Sequence, residues 1–470
     1  MNHSWLIFVM GLLLLSCSQQ KNERVVPNAD FSGQEGEVKL IVLAPGHFHA
    51  NLLQKTTIPQ VNDSVVVYAS SPDETGLKQY LAAIEQLNNR SEDPTSWQLS
   101  VYADNDFLDK MINEARGNVV VLAGNNREKT DYIQQAVGAG LNVLSDKPMA
   151  INKADFLLLE EAYSTAASND VLLYDMMTER YDMVNIIEKQ LLNDTLFFGK
   201  LLPGTPEEPA VYMESIHHFY KEVSGAPLQR PAWYYDVEQQ GEGIADVTTH
   251  LIDLLFWKCF PEQIVDYKND ITGISAIHWP TDITLEQFGK STGESSFPVY
   301  LHKYLEGELL KVYANGTIHF KVKEHDVAMK VIWNYQAPVG GGDTFMGQIN
   351  GTKAILKTVQ DKDDGFLKQL YVQAAGGLGE NDFEINLKAA IDKIQNSYPF
   401  VSYSPTNRKG EYLINIPVES REGHEAHFRY VAERFFGFLV NREMPEWEAA
   451  NTLAKYFITT EAVEVARARE

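Results

Sequence analysis

Three short stretches of this chain carry residue types suited to proton transfer and phosphate binding. In Asp146-Lys147-Pro148 a lysine follows an apolar run, and the proline fixes the turn after it. An ammonium placed in such a crevice is partly desolvated, which lowers its pKa toward the range where protons move. In Gly241-Glu242-Gly243-Ile244-Ala245-Asp246-Val247-Thr248-Thr249-His250 a carboxylate and an imidazole stand four apart, on one face of a helix starting near Ile244. Imidazole titrates near neutrality, so this pair is a candidate general base and its partner. Ala44-Pro45-Gly46-His47-Phe48-His49 is a turn after an apolar run. A dinucleotide fingerprint would have glycine at 44, 46 and 49, and only Gly46 is present. Each stretch also has a plain reading: a solvated turn lysine, a surface ion pair, an ordinary strand-to-helix connection.

The elements that must position these residues alternate. Lys39–Ala44, Ser64–Ala69 and Asn118–Ala123 are continuous β-branched runs, the mark of strands buried on both faces, and shorter runs lie at Leu141–Leu144 and Val171–Leu173. Leu77, Tyr80, Leu81, Ile84 and Leu87 recur at helical spacing, and Asn152 with Asp155 caps a helix carrying Phe156, Leu159 and Tyr163. This order predicts a doubly wound parallel sheet, whose ligands lie beyond the strand carboxyl ends where strand order reverses. Gly124-Asn125-Asn126 stands at one such end. Another carries Ala69-Ser70-Ser71 where an acid for ribose hydroxyls is normal; Asp73 and Glu74 are displaced and read as caps of the next helix.

Beyond about residue 205 short alternating stretches such as Thr317–Val322 and Val327–Trp333 predict antiparallel strands with one wet face. Phe428, Val431, Phe435 and Leu439 predict a late amphipathic helix. The expected fold is an α/β Rossmann domain over 37–178 followed by an α+β domain over 179–470 with a largely antiparallel open sheet. At 470 residues, 44% apolar and 22% charged, the composition is that of a water-soluble globular protein. The net charge of −24 argues against a nucleic-acid partner. Two cysteines, Cys17 and Cys259, give no disulfide framework.

Trp5–Leu15 is an apolar run too short to span a bilayer, and it ends Leu14-Leu15-Ser16-Cys17. The pattern resembles the lipobox of a bacterial lipoprotein, although no Lys or Arg precedes the run; a buried N-terminal helix is the alternative. The expectation is a signal peptide over 1–16, lipidation of Cys17, a flexible tether to residue 36, and an exported protein anchored to a membrane, most simply at its periplasmic face.

In order, the strand and glycine turn, Gly-Asn-Asn, Asp-Lys-Pro and Gly-x-Gly-(x)₂-Asp-(x)₃-His-(x)₂-Asp resemble the Gfo/Idh/MocA oxidoreductases, over about residues 38–460. Arg230-Pro231-Ala232-Trp233 and the helix from Ala454 to Thr460 fit as well. The resemblance implies a nicotinamide cofactor, NAD or NADP, and hydride transfer between it and a hydroxyl-bearing carbon of a sugar or glycoside, with a 3-keto-glycoside as one oxidised form. It implies that His250 takes the hydroxyl proton, Asp246 orients His250, and Lys147 polarises the same oxygen. It places cofactor contacts at Gly46, His47, Phe48, His49, Ser70, Gly124, Asn125, Asn126, Asp146 and Lys147. Arg180, Tyr212, His217 and Trp233, with His218 and Lys221, are candidate pocket residues, and ordinary packing is the alternative for each. No metal is expected on this reading, and the open sheet offers a face for a homo-oligomer. An exported enzyme meets little free nicotinamide, so a tightly held cofactor is expected. Two rivals remain. One is a metal-dependent hydrolase using His47, His49, His217 and His250; the other is a tethered sugar-binding protein without catalysis.

Overall fold

The computed structural model describes residues 31–223 and 226–469. The signal segment and Cys17 lie outside the described residues. The continuous apolar runs form a parallel sheet: β1 (Leu40–Leu43), β2 (Ser64–Ala69), β3 (Gln98–Ala103), β4 (Val119–Leu122), β5 (Asn142–Ser145) and β6 (Leu173–Asp175). Their order is β3-β2-β1-β4-β5-β6, so it reverses between β1 and β4. Every residue of β1, β4 and β5 is buried, which is why those strands read as unbroken apolar runs. Helices α1 (His49–Leu52), α2 (Thr75–Asn89), α3 (Phe107–Glu114), α4 (Lys129–Gly138) and α5 (Lys153–Ser168) cover the two faces. The Asn152 side chain caps α5 by accepting from the Asp155 N–H at 3.0 Å.

One helix differs from expectation. A full helix after Gly46 would aim its dipole at a phosphate, but α1 is four residues long. The chain enters it through Ala44 at φ 46°, the left-handed region where a fingerprint glycine would stand.

The second domain is built on a long open sheet, with β7 (Val211–Tyr220) near its middle. The strand 325–336 runs parallel to β7, and the other pairings in this sheet are antiparallel. Val211 and Met213 face inward and pack against α7 (Thr248–Cys259) through Leu251, Ile252 and Leu255. α7 follows a single turn, α6 (Gly243–Asp246), after one linking residue. Gly243 is required where α6 meets the sheet, because a Cβ there would lie 1.8 Å from the Ala314 carbonyl oxygen.

Two helices from beyond the 178/179 division pack on the first domain's sheet. α8 (His424–Asn441) returns to the parallel sheet and buries Phe428, Val431 and Phe435 against the layer containing Val42, Val67 and Tyr174. α9 (Glu446–Arg467) places Tyr456 in the core on the sheet's other side. Among the described residues no helix is long and apolar enough to cross a membrane.

Ala44 gives a direct test of the turn. An L-residue in the left-handed region costs roughly 1–2 kcal/mol. Ala44→Gly is expected to raise the unfolding free energy by about 1 kcal/mol, read as a higher urea midpoint at unchanged slope.

Candidate active site

Lys147 leaves the end of β5 and reaches the other domain. Its Nζ donates to Asp246 Oδ1 at 2.6 Å, and both side chains are largely withdrawn from water. Burial alone would push the Asp246 carboxyl upward; the Lys147 ammonium, with help from Gln240, holds it below the usual carboxylate range instead. Val247 joins α6 to α7 in helical conformation, which puts His250 in the first turn of α7. His250 is half-buried, and its Nδ1 is buried without a hydrogen-bond partner. Burial, then the Lys147 charge, lowers its pKa to about 3.

This corrects one expected role. Asp246 does not orient His250 by a hydrogen bond; it is the counter-ion of Lys147, and acts on His250 only through its charge. The sequence spacing put the pair on one helix face, but a face says nothing of a partner from another domain.

A second wall was not read from the sequence. Glu179, in the turn after β6, and His424, the first residue of α8, both act electrostatically on His250. Lys368 Nζ donates to Glu179 at 3.1 Å and to Asp182 at 3.0 Å. Against burial, Lys368 and then His424 hold the Glu179 carboxyl well below its ordinary value. His424 Nε2 meets Thr178 Oγ1 at 2.9 Å, and burial lowers its pKa to about 4. The pair His424 and His427 at a helix start was the one local signal available.

The nucleotide turns close tightly. The Gly46 and His47 N–H groups both donate to the Ala123 carbonyl at 3.1 Å. A Cβ on Gly46 would lie 3.2 Å from Gly124 Cα, one on Gly124 would lie 2.3 Å from Ala44 O, and one on Gly76 would lie 2.4 Å from Pro45 O. Three glycines from three segments therefore permit the convergence that the fingerprint places in one. Beside them opens a cavity of about 480 Å³ lined by Gly46, Glu74, Gly76, Asn125, Arg127 and Trp233, among others. A smaller one of about 200 Å³ is lined by His47, Phe48, Arg230 and Tyr234.

Glu74 makes no side-chain cap bond on α2. Its Oε1 accepts from the Ser70 N–H at 3.2 Å and from the Ser70 hydroxyl, and Glu74 lines the larger cavity. The acid missing from the end of β2 is thus supplied from the next turn, and Ser70 holds it there. A glycine-lined crevice at the order reversal, a carboxylate beyond β2 and a cavity of cofactor size fit a nicotinamide dinucleotide. The bulk of His49 is accommodated by burial: its Nδ1 lies 3.0 Å from Asp146 Oδ2, and its ring packs against Phe428. Against burial, His49 and Lys129 hold the Asp146 carboxyl well below its ordinary value. Lys129 donates to the Asp146 main-chain oxygen at 3.1 Å, and burial lowers its pKa to about 8.

Several expected contacts fall elsewhere. Asn126 is buried and donates to the Gln240 carbonyl at 2.7 Å, which makes it a clamp between domains rather than a cofactor contact. Arg180 is buried in a bidentate pair with Asp253 (2.7 and 2.7 Å) and bonds Glu448 at 2.8 Å, so it does not line a substrate pocket. Tyr212 donates to Glu214, which pairs with Lys330 on the outer face of the sheet, away from α7. Trp233 lines the larger cavity, beside the nucleotide turns. His217 is on the inner face: Nδ1 lies 3.1 Å from Asp343, Nε2 lies 2.7 Å from Ser215 Oγ, and the ring stacks on Trp333. His218 and Lys221 also reach Asp343, which the sequence did not mark. Among the described residues the rival four-histidine set does not assemble; the three-residue group whose ligand atoms all lie within 4.8 Å of one another is His47, His49 and Asp146, while His217 and His218 meet Asp343 instead.

A family model described as an oxidoreductase C-terminal domain matches residues 187–467. A second, the oxidoreductase family with NAD-binding Rossmann fold, matches residues 60–174. A crystal structure from Parabacteroides merdae, assigned as an oxidoreductase, is 45% identical, covers 94% of this chain and 100% of its own, and superposes with TM-score 0.92. Levoglucosan dehydrogenase in complex with NADH and levoglucosan is 13% identical over 92% of this chain and 98% of its own, with TM-score 0.56. The WlbA dehydrogenase from Bordetella pertussis, in complex with NADH and UDP-GlcNAcA, is 12% identical over 93% and 97%, with TM-score 0.53. The last two likenesses are of fold. A comparison with the curated proteins finds no match.

The reassignment of Arg180 is testable. Arg180→Ala strands the buried Glu448 carboxylate and leaves Asp253 only its 3.4 Å contact with Lys455, and is expected to cost about 3–5 kcal/mol in urea unfolding. A pocket arginine would instead change KM at unaltered stability.

Proposed function

Because this chain belongs to the Gfo/Idh/MocA oxidoreductase family, we propose that its substrate is a sugar or glycoside, oxidised at a ring hydroxyl, with C3 the favoured position. The observation that carries the reading is the Lys147–Asp246 pair at 2.6 Å, joined across the two domains and four residues from a histidine whose proton affinity is depressed. When bound, the nicotinamide supplies the acceptor for the hydride that leaves the carbinol carbon. Lys147 donates a hydrogen bond to the reacting oxygen, and its charge favours the alkoxide-like transition state. His250 takes the hydroxyl proton, and the carboxylates Asp246 and Glu179 stabilise the imidazolium so formed. NAD rather than NADP is favoured, since the Glu74 carboxylate accepts from ribose hydroxyls and repels a 2′-phosphate.

The test is oxidation of glycosides by the purified chain with NAD or NADP, followed by NADH absorbance and by loss of two hydrogens from the sugar. NAD is expected to give the higher kcat/KM. Lys147→Met/Asp246→Asn, which leaves no lone buried charge, is expected to lower kcat by about 10²–10⁴-fold. Unchanged turnover in that variant rejects the reading. A base must be unprotonated to act, so a lowered pKa moves the acid limb downward. The rate is therefore expected to hold as pH falls through 6.5 and to fail only toward the His250 value of about 3.

Export and anchoring belong to the same reading: the chain is cleaved before Cys17 and lipidated there, and it carries its cofactor tightly bound. Expressed in a bacterium, wild type is expected in the membrane fraction and Cys17→Ala in the soluble fraction, with nicotinamide released on denaturation. An identical distribution of the two rejects the anchor, and less than about a tenth of an equivalent of nicotinamide rejects tight binding.

A further inference from the structure

We propose that His47, His49 and Asp146 bind one divalent transition-metal ion, with an open coordination position toward the smaller cavity. The nicotinamide reaction needs no such ion, so the site is additional to the activity above. Two turns supply the donors: the histidines follow β1, and the aspartate follows β5. Their ligand atoms all lie within 4.8 Å of one another. Metal bonds to imidazole nitrogen and carboxylate oxygen are about 2.0–2.2 Å, so two ligands of one ion lie no more than about 4.4 Å apart. His49 Nδ1 is 3.0 Å and His47 Nδ1 is 3.7 Å from Asp146 Oδ2, inside that limit; the two imidazoles are held to within 4.8 Å of each other, and binding exchanges the 3.4 Å bond that His47 Nδ1 accepts from the His49 N–H. The two rings stand at 86° to each other, so they do not stack and block the approach of an ion between them.

The surroundings divide the site into a closed and an open side. The His49 and Asp146 side chains keep 10% and 5% of their exposure. The His47 side chain keeps 24% and lines the smaller cavity, so water or a ligand oxygen can reach the ion from there. Two cations stand near, and neither occupies the carboxylate. Lys147 is engaged by Asp246 at 2.6 Å, and Lys129 donates to the main-chain oxygen of Asp146. Their charge limits affinity for any dication. It is overcome by ions that bind imidazole well, which selects Zn²⁺, Co²⁺ or Ni²⁺ over Mg²⁺ and Ca²⁺.

The purified full chain, freed of metal by a chelator and dialysed, is titrated with Co²⁺ and followed by its visible absorption. The expected result is one saturable equivalent, displaced by Zn²⁺ and unaffected by excess Mg²⁺. Asp146→Asn and His47→Gln are each expected to weaken binding by about 10-fold or more. His47→Gln alters the exposed side of the cluster, so its melting curve and far-UV circular dichroism, measured on the same sample, show whether the fold persists. Absence of a saturable band in wild type, or Co²⁺ binding undiminished in folded His47→Gln, overturns the proposal and leaves the three side chains as a hydrogen-bonded brace. Because no substrate or turnover enters these measurements, failure here is distinct from failure of the oxidoreductase reading.

Discussion

The Lys147–Asp246 pair is the constraint on which the rest of the site depends. Each charge comes from a different domain, and each is nearly buried, so neither is tolerable without the other. Removing water from two charges is expensive, and the close contact recovers that cost only while the domains keep one relative arrangement. The acid–base set is therefore also a domain latch. A second latch lies three residues along α7 from His250, where Arg180 grips Asp253 in both directions of its fork. Lys455 ties the same Asp253 to Asp175 at the end of β6. Between the two, α7 has little freedom to rotate His250 away from Lys147.

How far this could be read from the sequence depended on burial. β1, β4 and β5 were legible because both faces are covered, which forces every position to be apolar. β3 was not, because it is an edge strand whose residues Gln98–Ala103 are half-buried or exposed throughout. Lys147, Asp246 and His250 were legible as residue types in spaced motifs. Their pairing was not, since spacing along one helix cannot show which carboxylate a lysine from another domain selects. Glu179, Lys368 and Asp343 carried no local pattern; only tertiary folding brings them beside histidines.

The nucleotide turn shows the same distinction between pattern and cause. The absence of two fingerprint glycines reads as decay when the motif is taken as a string. In space, the requirement is that backbone segments approach one another and that one residue adopt the left-handed region. Gly46, Gly76 and Gly124 meet the first requirement. Ala44 meets the second at φ 46°, at the cost of some strain. His49 keeps its bulk by turning it under the sheet end against Asp146. The carboxylate beyond β2 is likewise displaced from the strand end to Glu74, held by Ser70.

The chain is strongly acidic, yet its central cleft gathers ammonium and guanidinium groups, nearly all matched by a carboxylate: Lys147 by Asp246, Lys368 by Glu179, Lys221 by Asp343 and Arg127 by Asp236. A cleft balanced in this way carries little net charge of its own, which is compatible with the uncharged sugar or glycoside proposed above. The imidazoles of His250 and His424 are kept neutral chiefly by burial. A neutral imidazole with depressed proton affinity keeps one ring nitrogen unprotonated at rest, able to accept a proton. Once protonated, it lies in the field of Glu179 and Asp246, which stabilises the cation long enough for transfer onward. The same burial that weakens His250 as a base therefore keeps it in the competent form, and the carboxylates around it offset part of that weakening.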